Sequence, residues 1–446
     1  MKVSFHMICL AVAVAFIAGS CQSGSGPAAS DAADMAGYTP QQVREMLMQD
    51  RTRAAGFHHS YEIPEISDTK APKGYKPFYI SHYGRHGCRY QSASVYDRAI
   101  EPLSRMKELG ALTPEGESLL ADISRIKAEN LGMDWMLTRK GGATHRGISS
   151  RMLDRYPGVF SQKGRDSVVA VSSTAQRCVM SMSNFVTPIN ERHPELEVLM
   201  DTGDRYMDYI AHDPDSNVEL DRRCGALRDS IFIAEFDRSR AMGALFTDTT
   251  QLAKFIDCDP DLFFYTVMDR ADLAQCMDSP LPDIFGYFTP DEVYAFFKAY
   301  NARAYGQMGI TPEFGDWRPV NVGGPLLRDF LEKADAAVAG NGVCADLRFG
   351  HDSIIAPFMF LLGIGGADSH SVLEASSYWL CFKEICMGAN IQFVYYGNRG
   401  GGVLVKILVN EQEAVISGLE AVNGVYYDWT VLRAYLASKT GPGSEA

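Results

Sequence analysis

The stretch Tyr79-Ile80-Ser81-His82-Tyr83-Gly84-Arg85-His86-Gly87-Cys88-Arg89-Tyr90 sets a histidine between two arginines, with a glycine directly after it. Arginine carries a permanent planar fork matched to phosphate oxygens, so Arg85 and Arg89 are candidate phosphate ligands. Glycine lets the chain turn sharply and a ligand approach closely. A neutral imidazole held between the guanidinium groups would face a bound phosphate, and histidine can carry a covalent intermediate. Two further segments have the same character. Ser172-Ser173-Thr174-Ala175-Gln176-Arg177 offers a third guanidinium at the start of a helix, where free backbone N–H groups and the dipole favour an anion. Arg348-Phe349-Gly350-His351-Asp352-Ser353 offers a second histidine and a carboxyl placed either to cap a helix or to donate a proton. Read one at a time, these segments also fit a solvated basic turn, a capped helix with a surface arginine, and a structural His-Asp pair.

The elements around them decide between those readings. Phe78–His82, Ser167–Ser173 and Cys344–Gly350 are short apolar or β-branched runs, and each leads into one of the three segments. Leu103–Lys107, Glu115–Ala128, Gly141–Tyr156, Cys178–Asn190 and Ile354–Ile364 read as helices. Ile391–Tyr396 and Val403–Val409 read as two more strands joined by the glycine-rich GNRGGG. Strands interleaved with helices predict an α/β fold with a mostly parallel sheet flanked by helices. In a parallel sheet all three segments fall at the carboxyl edge, where such folds bind ligands. The core is expected over residues 41–190 and 336–437. Residues 191–335, rich in helix formers and lacking a β-branched run, are expected to form an inserted α-helical domain, and residues 438–446 a tail.

Bulk properties narrow the partners. With 446 residues, 46% apolar and 22% charged, the chain is long enough for a substantial core, and its net charge of −13 disfavours non-specific nucleic-acid binding. Lys2, the apolar run Met7–Ala18 and Ile17-Ala18-Gly19-Ser20-Cys21 match a bacterial lipoprotein signal over residues 1–20, or a plain secretory signal cut nearby. On the first reading Cys21 is lipidated, residues 21–40 are a flexible tether, and an exported protein meets the membrane only through its N-terminal lipid. No C-x-x-C or His-Glu-x-x-His occurs, and Asp257-x-Asp259-x-Asp261 lacks the glycine and glutamate of a calcium loop. His58-His59 precedes the first core strand and has no expected role.

The Arg-His-Gly-x-Arg motif at Arg85–Arg89, the Ser/Thr block ending in Arg177 and the late His351-Asp352 resemble the histidine acid phosphatases, the second branch of the histidine phosphatase superfamily, which includes phytases and multiple inositol polyphosphate phosphatases. The resemblance covers residues 75–190 and 340–412. It implies a phosphoglycerate-mutase-like core and metal-free phosphomonoester hydrolysis with no cofactor. His86 would become phosphohistidine. Arg85, Arg89, Arg177 and His351 would hold the phosphate, and Asp352 would protonate the leaving alcohol. A substrate with many phosphates, such as phytate, would need further basic groups, for which Arg139, Lys140 and Arg146 are candidates. The chain departs from the family in carrying Gln91 where a proline is usual. His351-Asp352 follows the acid phosphatases rather than the His-Ala-Glu frequent in the inositol polyphosphate branch. The alternatives are a sugar-phosphate or broad-specificity acid phosphatase and, outside enzymes, an inactive anion- or glycan-binding lipoprotein. Oligomeric state is not legible.

Overall fold

A computed structural model describes residues 37–211, 218–315, 318–364 and 369–440. The expected signal, Cys21, most of the tether and the last six residues of the tail lie outside the described residues.

Eight strands form one sheet: β1 (Lys76–Arg85), β2 (Ser167–Ser172), β3 (Glu197–Thr202), β4 (Val343–Gly350), β5 (Asn390–Gly397), β6 (Val403–Val409), β7 (Gln412–Ala414) and β8 (Tyr426–Asp428). Their order is β3-β2-β4-β1-β5-β6-β7, with β8 also against β6. The expected mostly parallel sheet is in fact mixed. β3, β2, β4 and β1 run parallel, whereas β5 is antiparallel to β1 and β6 to β5. A short link such as 398–402 can only reverse the chain into the neighbouring antiparallel strand.

Helices fill both faces. The first are α1 (Pro40–Gln49), α2 (Asp97–Glu108), α3 (Pro114–Asn130), α4 (Arg139–Arg155) and α5 (Gln176–Arg192). Between β3 and β4 come α6 (Met207–Ile210), α7 (Val218–Glu235), α8 (Arg238–Leu245), α9 (Phe263–Ala271), α10 (Pro290–Met308) and α11 (Gly324–Val338). The last are α12 (Asp352–Leu362), α13 (Cys381–Glu384) and α14 (Trp429–Ala437). Alternation along β1 sends Ile80 toward α4 and α5, into a core with Phe185 and Leu347. Tyr79 and Tyr83 point the other way, into a core shared with α11, α12 and α14 that runs on into α10.

One element departs from the expected helical character of 191–335, and a helix of that stretch packs against the sheet. β3 lies inside that stretch, and α11 packs beside β1 and β4. β3 is a largely exposed edge strand whose composition carries no buried-strand signature, so its pairing with β2 is a tertiary decision.

Candidate active site

β2, β4 and β1 are neighbours and parallel, so their carboxyl ends stand side by side. The backbone continues the ladder past the strands: His86 N donates to Gly350 O at 2.9 Å and Ser173 N to Phe349 O at 3.0 Å. His86, the His351-Asp352 pair and the Ser173–Arg177 turn are thereby brought to one edge. α5 and α12 start there without a side-chain cap, their N-cap residues being Ala175 and His351. Their first N–H groups remain available to an anion.

The His86 loop is clamped on every side. Gly87 N donates to Ser181 Oγ of α5 at 3.1 Å, and Gly388 N to His86 O at 2.9 Å. Thr138, the N-cap of α4, donates its N–H and its hydroxyl to Cys88 O at 3.0 and 3.1 Å. Gly87 and Gly141 meet backbone to backbone. A Cβ on Gly87 would lie 2.6 Å from Gly141 O, and one on Gly141 would lie 2.7 Å from Cys88 N. Neither position has room for a side chain.

His86 is almost fully buried, and its Nδ1 lies 2.9 Å from Gly87 O. A carbonyl only accepts, so Nδ1 carries the hydrogen and Nε2 keeps its lone pair. Burial above all, with Arg85, Arg177, His351 and Arg89 adding, holds the imidazole well below its ordinary pKa. The ring is neutral with a fixed tautomer, the state a nucleophile needs.

Around it stand the three arginines. Arg85 is buried, and its Nη1 donates to Ile385 O at 2.7 Å and to Phe57 O. Its Nε has no hydrogen-bond acceptor among the described residues and faces Asp352 Oδ1 at 3.7 Å. Arg177 Nε is likewise buried without an acceptor among the described residues. Arg89 donates to Tyr90 O at 3.1 Å, approaches His58 Nε2 at 3.5 Å and lies 4.8 Å from the Trp135 ring centre. Burial, then Arg85 and Arg177, bring it down to about 10, which leaves it charged at neutral pH.

His351 sits 5.7 Å from His86, ring centre to ring centre. Its backbone N–H donates to Tyr83 Oη at 2.9 Å, and that hydroxyl donates on to Ile210 O at 2.8 Å. Its Nδ1 is 3.4 Å from Arg177 Nη2, a donor, so Nε2 carries the hydrogen toward Ser173 Oγ at 2.9 Å. Burial and Arg177 lower its pKa to about 4. For Asp352, burial pushes the carboxyl up, but the surrounding positive charge, led by Arg85, outweighs it and brings the group down to about 2.

Arg85, His86, Arg89, Arg177, His351 and Asp352 thus share one cluster. The three outer candidates, Arg139, Lys140 and Arg146, lie on α4. Arg139 and Lys140 donate their backbone N–H groups to the Asp278 carboxylate at the start of α4, Lys140 Nζ donates to Gln275 O at 2.8 Å, and Arg146 pairs with Glu191 on the surface. Gln91, at the departing position, is buried and held through its N–H by Asn130.

His58 is the main residue missed from sequence. It touches Arg89, and its Nδ1 lies 2.5 Å from Asp272, a buried carboxylate. Nothing local marks it, since Asp272 is 214 residues away. His58 also lines a cleft of about 280 Å³ with Gln91, Arg270, Tyr300, Arg303 and Gln307. Tyr300, Arg303 and Gln307 share one face of α10 by their spacing. Nε of Arg270 and of Arg303 is buried without an acceptor among the described residues, although Arg270 also pairs with Asp269 at 3.4 Å.

No family model and no curated protein matches the chain. Solved structures do. The multiple inositol polyphosphate phosphatase of Bifidobacterium longum, in complex with inositol hexasulfate, superposes with a TM-score of 0.70 at 20% identity, over 88% of this chain and 99% of that one. The phytase from D. castellii gives 0.66 at 13% identity over 88% and 86%. The Hafnia alvei phytase gives 0.52 at 12% over 84% and 99%. The chain therefore has the histidine acid phosphatase fold that these phosphatase and phytase structures share.

Proposed function

We propose that this chain is a phosphomonoester hydrolase that works through a phosphohistidine on His86 and takes inositol polyphosphates as substrates. The observation that carries the reading is the His86 ring: neutral, with Nδ1–H spent on Gly87 O and the Nε2 lone pair facing a cluster of Arg85, Arg89 and Arg177. A phosphate dianion in that cluster receives hydrogen bonds from the guanidinium groups and from the open N-termini of α5 and α12, which also stabilise charge that develops in the transition state. Nε2 attacks phosphorus and the P–O bond to the alcohol breaks. A proton from Asp352 neutralises the departing alkoxide. Water then attacks the phosphohistidine with Asp352 as base, releasing inorganic phosphate and restoring Nε2.

Two observations support the substrate class. The cleft beside His58 is lined by Arg270 and Arg303, guanidinium groups suited to further phosphates of a substrate, together with Asp269. The B. longum structure was obtained with inositol hexasulfate, a ring carrying many anionic esters. The N-terminal signal pattern supports an exported, lipid-anchored enzyme acting on phosphate esters outside the cytoplasm.

The test is phosphate release from phytate, a sugar phosphate and an aryl phosphate by wild type and His86→Ala. Preference for phytate with a dead variant is the expected result. Turnover of the simpler esters alone would remove the substrate assignment. No release from any ester would leave an anion-binding protein.

A further inference from the structure

Beside Arg89 the segment 131–136, Leu-Gly-Met-Asp-Trp-Met, crosses the surface between α3 and α4. It exposes Leu131, Met133, Trp135 and Met136, with Trp135 43% exposed. Trp135 has φ = 64°, in the left-handed region that bulky residues avoid. Such a conformation persists only where its surroundings hold it, and such residues gather at functional sites. Here the holding bonds are visible. The Asp134 carboxylate accepts from Ser92 Oγ at 2.9 Å and from Ala93 N at 3.3 Å. On the other side, Tyr90 N donates to Met136 O at 2.9 Å and Met136 N to Met133 O at 3.0 Å. The loop is pinned before and after the tryptophan, so its strained backbone is imposed. The outcome is an indole set against the guanidinium of Arg89, 4.8 Å from ring centre to Cζ, with much of the ring left open to solvent.

An indole needed only to brace Arg89 would gain most from burial. One left open at the rim of a phosphate-binding cluster presents a flat apolar surface to whatever is esterified to that phosphate. We propose that Trp135 is a specificity-determining residue, a platform on which the ring of the leaving alcohol lies when its phosphate is held by Arg89. The proposal rests on the phosphohydrolase reading and refines it: the enzyme should favour esters of cyclic polyols, whose axial C–H face can lie on the indole, over esters of short acyclic alcohols.

The test compares an inositol monophosphate with glycerol phosphate in wild type, Trp135→Ala and Trp135→Phe, and measures the inhibition constant of inorganic phosphate alongside. The readout is the ratio of KM for the cyclic ester to KM for the acyclic one. In Trp135→Ala that ratio should rise about fivefold, the scale of one aromatic contact, while Trp135→Phe should stay within about twofold of wild type. Trp135→Gly guards against misfolding, because glycine accepts the positive φ freely. It should unfold no earlier than wild type and raise the ratio as alanine does. If both KM values and the phosphate inhibition constant rise together, the indole acts through Arg89 and the proposal is overturned. An unchanged ratio in both alanine and glycine variants overturns it too. A wild type that hydrolyses neither ester removes the phosphohydrolase reading itself, an outcome distinct from a flat ratio on an active enzyme.

Discussion

At the scale of single residues, the proposed mechanism gives the site two proton tasks, and environment separates the two groups assigned to them. His86 is stripped of its proton by burial and like charge, whereas Asp352 is ionised by positive neighbours and sits at about 2 in the free site. In the proposed role of donor, an Asp352 that is already ionised must regain a proton before the alcohol can leave. A bound phosphate dianion neutralises the arginines that depress Asp352, and a substrate that arrives as its monoanion brings the proton itself. The second ionisation of a phosphate ester lies at about 6, so kcat/KM for an alkyl ester should fall above that pH. Asp352→Asn should lower kcat/KM on an alkyl phosphate by roughly 10²–10⁴-fold. It should lower kcat/KM on an aryl phosphate much less, because a phenolate departs without help and the later dephosphorylation does not enter kcat/KM. Paired assays over pH 4–8 check both. Equal losses on the two esters would remove Asp352 from the proton-donor role.

At the scale of elements, the chemistry depends on how tightly α4 closes on the loop after β1. Gly141 lies in the first turn of α4, where alanine would be the better helix former by about 1 kcal/mol. A Cβ there meets the Cys88 backbone and the Leu137 side chain, so the contact outweighs the propensity. Gly141→Ala should cost roughly 1–3 kcal/mol of stability through overpacking. It should also slow turnover by about 10-fold or more, because the displaced loop carries His86 and Arg89. Denaturant midpoints and phosphate release measure the two effects. A variant as stable and active as wild type would mean that the Gly87–Gly141 approach can relax without consequence.

At the scale of the whole molecule, the core stores histidines that resist protonation. His82 and His145 are buried against Phe185 and Phe349, and among the described residues neither nitrogen of His82 has a hydrogen-bond partner. Burial lowers His82 strongly and takes His145 to about 3, while His351 stands at about 4 and His86 is also depressed. In the unfolded chain each binds a proton near pH 6.5, where the folded chain does not. Above that pH the two states bind equally and stability is at its plateau. As pH falls from 6.5 toward 3–4 the unfolded state gains protons, and each histidine removes up to about 1.4 kcal/mol per pH unit. Urea midpoints should therefore drop below pH 6.5 with a slope of more than one proton. His145→Phe, a ring of similar size among phenylalanines, should shallow that slope by about one proton. A flat stability curve from pH 7 to 5 would contradict the buried-histidine account.

The sequence by itself determined the strands that end at the site and the six residues that cluster there. β-branched runs, caps and glycines act within a few positions along the chain, and each segment next to a strand end carries its own chemistry. Tertiary structure decided the rest. The direction of β5 and β6, and the pairing of β3, depend on partners far along the chain, so a mixed sheet replaced the mostly parallel one. Charge alone points to Arg139, Lys140 and Arg146, whereas the contacts that α4 gives them, with Asp278, Gln275 and Glu191, come from the fold. His58 reaches Arg89 only because Asp272 and Tyr300 fold against it. Trp135 owes its open indole to a φ that bonds from Asp134 and Met136 impose. Local patterns are written residue by residue, but burial, pKa and imposed backbone conformation are set by whichever distant groups the fold brings into contact.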